Sequence, residues 1–146
     1  MDLKVNQSMN SNFRARLVVS PEIKEKAGKT CAIELEKALP AIRKIANEAT
    51  NIDSIYLNPL VSIDGSVSHA LSIIAAKGFL PPLACTVYEE NGKNQYNANK
   101  DYSEHLIDTT ELVVNTFLNR HNLRKSENTE KSSGNSFLGW IKKIFN

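Results

Sequence analysis

One stretch of the chain concentrates groups that can do chemistry. It reads Asn58-Pro59-Leu60-Val61-Ser62-Ile63-Asp64-Gly65-Ser66-Val67-Ser68-His69. Ser62, Ser66 and Ser68 offer hydroxyl donors, and Asn58 can read a base or ribose edge. Asp64-Gly65-Ser66 reads as the turn that opens a helix carrying Val67, Ala70, Leu71 and Ile74. The free N–H groups and dipole of such a helix would make its start an anion site. His69, three residues after Ser66, would lie in its first turn and could donate to a phosphate or act as a general base. The competing reading takes Asp64, Gly65 and Ser66 as turn and cap residues only, and His69 as a structural histidine.

Other chemistries find little support. Gly28-Lys29-Thr30 ends like a phosphate-binding loop, but Ile23 stands where its first glycine belongs, so no phosphate role is assigned to it. There is no G-x-G-x-x-G and no Gly-x-Ser-x-Gly elbow. His105 and His121 lie in polar contexts that suit the surface, and no Cys, His or carboxylate spacing suits zinc, so neither metal nor cofactor is expected. Tyr88, Tyr96 and Tyr102 could stack on a base, or pack on a sheet with their hydroxyls in water. Cys31 and Cys85, in apolar runs, read as two reduced, buried thiols of a cytoplasmic protein.

The elements that must position these groups follow from periodicity. The chain has 146 residues, 41% of them hydrophobic, and a net charge of +2, too close to neutral to suggest duplex nucleic acid as a partner. No run approaches the length of a membrane-spanning helix, and the N-terminus has no secretory apolar segment. Alternation over residues 13–19 predicts a first strand. Ser20-Pro21-Glu22 then predicts a helix start. Apolar spacing over 29–50 predicts an amphipathic helix that Pro40 should kink or divide. Residues 54–57 and 83–88 read as strands. Asn91-Gly92 reads as a type I′ hairpin turn, with Glu90 and Lys93 pairing across it and a return strand near 94–97. Asp108 and Glu111 read as a capping box for a helix over 109–121. The expected fold is therefore α/β: a Rossmann-like, mostly parallel sheet of about four strands with helices on both faces.

The expected organisation is a frayed segment 1–11, a domain 12–123, a linker 124–136 without apolar side chains, and a C-terminal amphipathic helix 137–146. At helical spacing, Phe137, Leu138, Trp140, Ile141, Ile144 and Phe145 share an arc of about 160°, with Lys142 and Lys143 opposite. Such a helix suits an anionic membrane surface, a partner's groove or its own domain. The first of these would place the protein at the inner face of the membrane.

Residues 56–90 resemble the core of small CARF-related accessory proteins of type III CRISPR loci. An "NPP-S" loop that leads into an apolar helix matches Asn58-Pro59 with Ser62. A "GYFPP" turn that leads into a strand matches Gly78-Phe79-Leu80-Pro81-Pro82. Leu60 replaces the second proline, and Ile63-Asp64-Gly65 lengthens the loop. The resemblance covers about 35 residues. It implies a homodimer that binds cyclic oligoadenylate in antiviral signalling, as a sensor or sponge. Asn58, Pro59 and Ser62 would form the ligand loop. The alternatives are a ring nuclease that cleaves the messenger, using His69 with Ser62 or Ser66, and a membrane-peripheral adaptor acting through its C-terminal helix.

Overall fold

A computed structural model describes residues 14–123. The linker 124–136, the C-terminal segment 137–146 and the N-terminal segment 1–11 lie outside the described residues. The chain forms β1 (Arg16–Val19), α1 (Ile23–Ala27), α2 (Lys29–Glu48), β2 (Ser54–Pro59), β3 (Ala70–Ala76), β4 (Leu83–Glu90), β5 (Lys93–Asn94), β6 (Asn97–Asp101) and α3 (Tyr102–Arg120). The six strands make one mixed sheet in sequence order. Only β1 and β2 pair in parallel, joined through α1 and α2. Every later pair is antiparallel.

The α/β class is as the sequence indicates, but the arrangement is not the parallel four-stranded sheet expected from it. The helix expected to begin near Ser66 is instead β3, a strand antiparallel to β2. In the run Ala-Leu-Ser-Ile-Ile-Ala-Ala the apolar residues satisfy helical and alternating spacing equally. Pairing on both sides decides: Leu71, Ile73 and Ala75 turn into the core, while Ser72 and Ile74 stay half-buried on the other face. With β3 antiparallel, Lys77-Gly78 forms a strand-to-strand turn. Gly78 has φ +52 and its N–H bonds Asp53 Oδ2 at 2.8 Å.

All three helices pack on one face of the sheet, not on both. Cys31, Leu35, Ala38, Ile42 and Ala46 of α2 recur at three and four and are buried. They meet Ile55, Leu57, Leu71, Ile73 and Val87, which share one face by register, and Tyr102, Leu106, Val113 and Phe117 of α3. Pro40 neither breaks nor divides α2. It lies on the exposed side, where water can serve the carbonyl that lost its partner. The last helix begins at Tyr102, well before the expected 109, so Asp108 and Glu111 fall mid-helix and form no cap. Its start is held from another helix: buried Glu34 of α2 accepts the Ser103 N–H at 3.1 Å and pairs with Lys37 at 2.8 Å.

Local turn chemistry holds where no distant contact competes. Ser20 Oγ accepts the Glu22 N–H at 3.1 Å, but it is not the expected helix cap: α1 begins at Ile23 with Glu22 in the N-cap position, and Pro21-Glu22 form a turn before it. Asn91 and Gly92 take φ +55 and +80, as a type I′ turn requires. Glu90 and Lys93 face each other in register, but Lys93 Nζ bonds Asp101 Oδ1 instead. The expected return strand is only the two-residue β5; after a turn at Gln95-Tyr96 the chain reverses into β6, which pairs antiparallel with β5 through a register shift at Lys93/Asn94.

Candidate functional site

The C-terminal ends of β1, β2 and β4 lie at the same end of the sheet. The loop 60–69 crosses this end, and its last residues are tied to α1. Ser68 N–H bonds the Lys26 carbonyl at 2.9 Å, and His69 N–H bonds the Ala27 carbonyl at 3.0 Å. The His69 carbonyl accepts the Glu89 N–H at 2.8 Å, which extends the β3–β4 ladder by one rung. Held from both sides, His69 keeps a left-handed φ of +54, a conformation unusual for a residue other than glycine.

That backbone sets the ring against a buried carboxylate. His69 Nδ1 lies 3.3 Å from Glu89 Oε1. The Glu89 side chain is 4% exposed and the His69 side chain 60%. The second carboxylate oxygen, Oε2, accepts the Gly92 N–H at 2.8 Å, so the hairpin turn orients the acid. In the tautomer that donates from Nδ1 to this carboxylate, Nε2 is the acceptor of the ring. A buried acid that orients an exposed imidazole is the arrangement of a general base or a hydrogen-bonding ligand contact.

Gly28 closes the site from the helix side. Its φ of +111 lets it end α1 and cap α2 at once. A Cβ there would lie 3.5 Å from His69 Nδ1 and 3.1 Å from Val67 Cγ1. The N-terminus of α2, which no side chain caps, therefore opens beside the imidazole. Lys29 and Thr30, the first two residues of the helix, are exposed there. No helix begins at Ser66; the helix N-terminus near His69 is that of α2, which starts at Lys29 after Gly28.

The other expected site residues disperse. Asp64 Oδ1 accepts the Ser66 N–H at 3.0 Å, and Ser62 O accepts the Gly65 N–H at 3.2 Å, so this part of the loop is a self-contained turn. The bond from Ser66 holds the Asp64 carboxyl below its ordinary range. Ser68 Oγ approaches its neighbour Ala70 O at 3.4 Å. Asn58 falls on the sheet face away from the helices, in register with Ser72, and Pro59 ends β2 beside Leu71. By register Asn58 is thus on the face opposite Glu89, and only Pro59 shares the face that carries Glu89.

Glu89 escaped the sequence reading, and Gly28 enters it only in a run assigned no phosphate role; Glu89 left a usable signal. Leu83, Cys85, Val87 and Glu89 alternate toward the core, so an acid stands where the pattern demands an apolar residue. Tyr102 does not show its hydroxyl to water: the ring is fully buried and the hydroxyl donates to the Val87 carbonyl at 2.6 Å. Tyr88 and Tyr96 meet edge to face at 6.0 Å. His121 packs on Phe117, its ring centroid 4.6 Å away, and His105 is half-buried. Desolvation holds the His105 pKa below its ordinary value. Cys31 is buried and Cys85 half-buried, and both are free thiols.

Among the described residues no group of three His, Cys, Asp or Glu could hold a metal, and no helix is long and apolar enough to cross a membrane. Comparison with protein-family models, curated proteins and solved structures finds no match, so what this site can do follows from its own chemistry.

Proposed function

We propose that this chain binds a phosphate-bearing nucleotide at the end of the sheet where His69 and the start of α2 meet. The Glu89-oriented His69 ring carries this reading. Nε2 contacts the ligand, and the uncapped N–H groups of Lys29 and Thr30 donate to its phosphate oxygens. Lys29 adds a positive charge beside them. Cyclic oligoadenylates are the first ligands to try, because Asn58-Pro59, Ser62 and the Gly78–Pro82 turn resemble the type III CRISPR accessory proteins. The turn does lead into a strand, β4, as in that pattern. The loop leads into β3 where the pattern has a helix, so the ligand contacts shift from the loop serines toward His69 and α2.

The same dyad favours a second reading, metal-independent cleavage of an RNA-type phosphodiester. His69 Nε2 would take the proton of a ribose 2′-hydroxyl, whose oxygen attacks the adjacent phosphorus as the 5′-oxygen leaves and is protonated by solvent. Calorimetry with cyclic tri-, tetra- and hexa-adenylate, followed by chromatography of the mixture, tests both readings. The informative variant is His69→Asn, since asparagine tolerates the left-handed backbone that alanine would strain. Loss of one hydrogen bond to a charged ligand should weaken binding roughly tenfold. Cleavage products that vanish with His69→Asn support the nuclease. Unchanged affinity in the variant, or no binding of any nucleotide, removes the site.

A further inference from the structure

We propose that the C-terminal segment 137–146 docks in cis on the sheet face that the helices leave open. On that face Val18, Tyr56, Ile74 and Ala84 form one continuous row across four strands, as the register pairs Val18 with Tyr56, Tyr56 with Ile74 and Ile74 with Ala84. None of the four belongs to the core or packs against it, and no described helix covers them. A half-apolar sheet face of this kind needs a second layer.

The chain leaves the described domain at the end of the sheet near this row, on the helix side, where Leu123 packs against the core. Asn51, in the turn before β2, donates from Nδ2 to the Leu123 carbonyl at 2.6 Å. His121 Nε2 meets the Pro81 carbonyl, in the turn before β4, at 3.2 Å. Leu123 is thus fixed at the end of the sheet where β2 and β4 begin. Tyr56 is the third residue of β2 and Ala84 the second of β4, so the apolar row lies near that same end.

Residues 124–136 supply thirteen links. As a coil they span roughly 20 Å, and fully extended about 43 Å, against the ~10 Å separation of packed layers that they must pass. A tether matched to its span holds the segment at millimolar effective concentration over the face. A ten-residue helix is about 15 Å long, which is three strand spacings, the width of the row from β1 to β4. The apolar arc of Phe137, Trp140, Ile141 and Ile144 would meet the row, with Lys142 and Lys143 in solvent.

Trp140 is the only tryptophan, so its emission in the full-length chain reports the docking without lipid. The wild type should show blue-shifted emission with acrylamide quenching several-fold below that of free tryptophan, unchanged on dilution to nanomolar concentration. Ile74→Lys should shift the emission to the red and restore quenching while far-UV dichroism stays native, because Ile74 faces away from the core. Ala84→Lys, at an exposed position, and Ile144→Lys, in the segment itself, should do the same and cover the case in which Ile74→Lys fails to fold. Four results overturn the proposal: free quenching of Trp140 in the wild type, indifference to all three variants, protection lost on dilution as for a second copy, or protection that appears only with anionic vesicles. Residues 1–13 as the occupant of the face would give the first of these.

Discussion

Gly28 is where the geometry of the site and the stability of the fold meet, and Gly28→Ala tests both. The residue combines φ +111 with ψ 157, a region essentially closed to side chains. Alanine there incurs about 1–3 kcal/mol of backbone strain. Neither flank can relax, because α1 ends and α2 begins at this residue. The new methyl would also stand 3.1 Å from Val67 Cγ1. Val67 is 44% exposed on a loop and can yield by a few tenths of an ångström, so strain dominates. The expected loss is about 2–3 kcal/mol, or roughly 6–15 °C in Tm for a chain of this size. Gly65→Ala is the control. Gly65 has φ +81 with nothing within 4 Å of an added Cβ and lies in an exposed loop, so only the left-handed backbone cost of about 1 kcal/mol is expected. Thermal unfolding followed by far-UV dichroism reads both variants. Equal losses in the two, or Gly28→Ala melting with the wild type, would show that the α1–α2 junction is not held in this conformation.

Two further outcomes follow from single residues. Pro40→Ala should stabilise the protein by about 1–3 kcal/mol in denaturant unfolding, because it restores an N–H to the middle of α2 without touching the core, and no gain would mean that the helix is in fact interrupted there. Burial pushes the Cys31 thiol up to about 12, so iodoacetamide at pH 8 should label one cysteine in the native protein, Cys85, and two in denaturant. Because the folded pKa lies above the ordinary value of 9.0, the contribution of Cys31 to stability is complete below pH 9 and is lost as pH rises toward about 12. Cys31→Ser should flatten that alkaline limb, and a limb of unchanged steepness would assign it to other groups.

Residues whose conformation depends on near neighbours were legible in the sequence. Asn91-Gly92 turns as its side chains dictate, and α2 follows its three-and-four spacing. These outcomes are set by steric limits and hydrogen bonds within a few residues. The run Ala70–Ala76 was not decidable locally, since its apolar residues suit a helix and a strand alike, and only pairing with β2 and β4 settles it. That one pairing turned a parallel sheet into a mixed one and left a sheet face without helices. It also moved the helix N-terminus of the site from Ser66 to Gly28. His69 was visible as a candidate because imidazole chemistry is rare in any sequence. Its partner Glu89 is twenty residues away, and a hydrogen bond between them exists only because antiparallel register sets β4 beside the residue that precedes β3. Sequence fixes side-chain types and local geometry, whereas long-range register decides which of them share a face, because each one-residue step along a strand exchanges core for solvent.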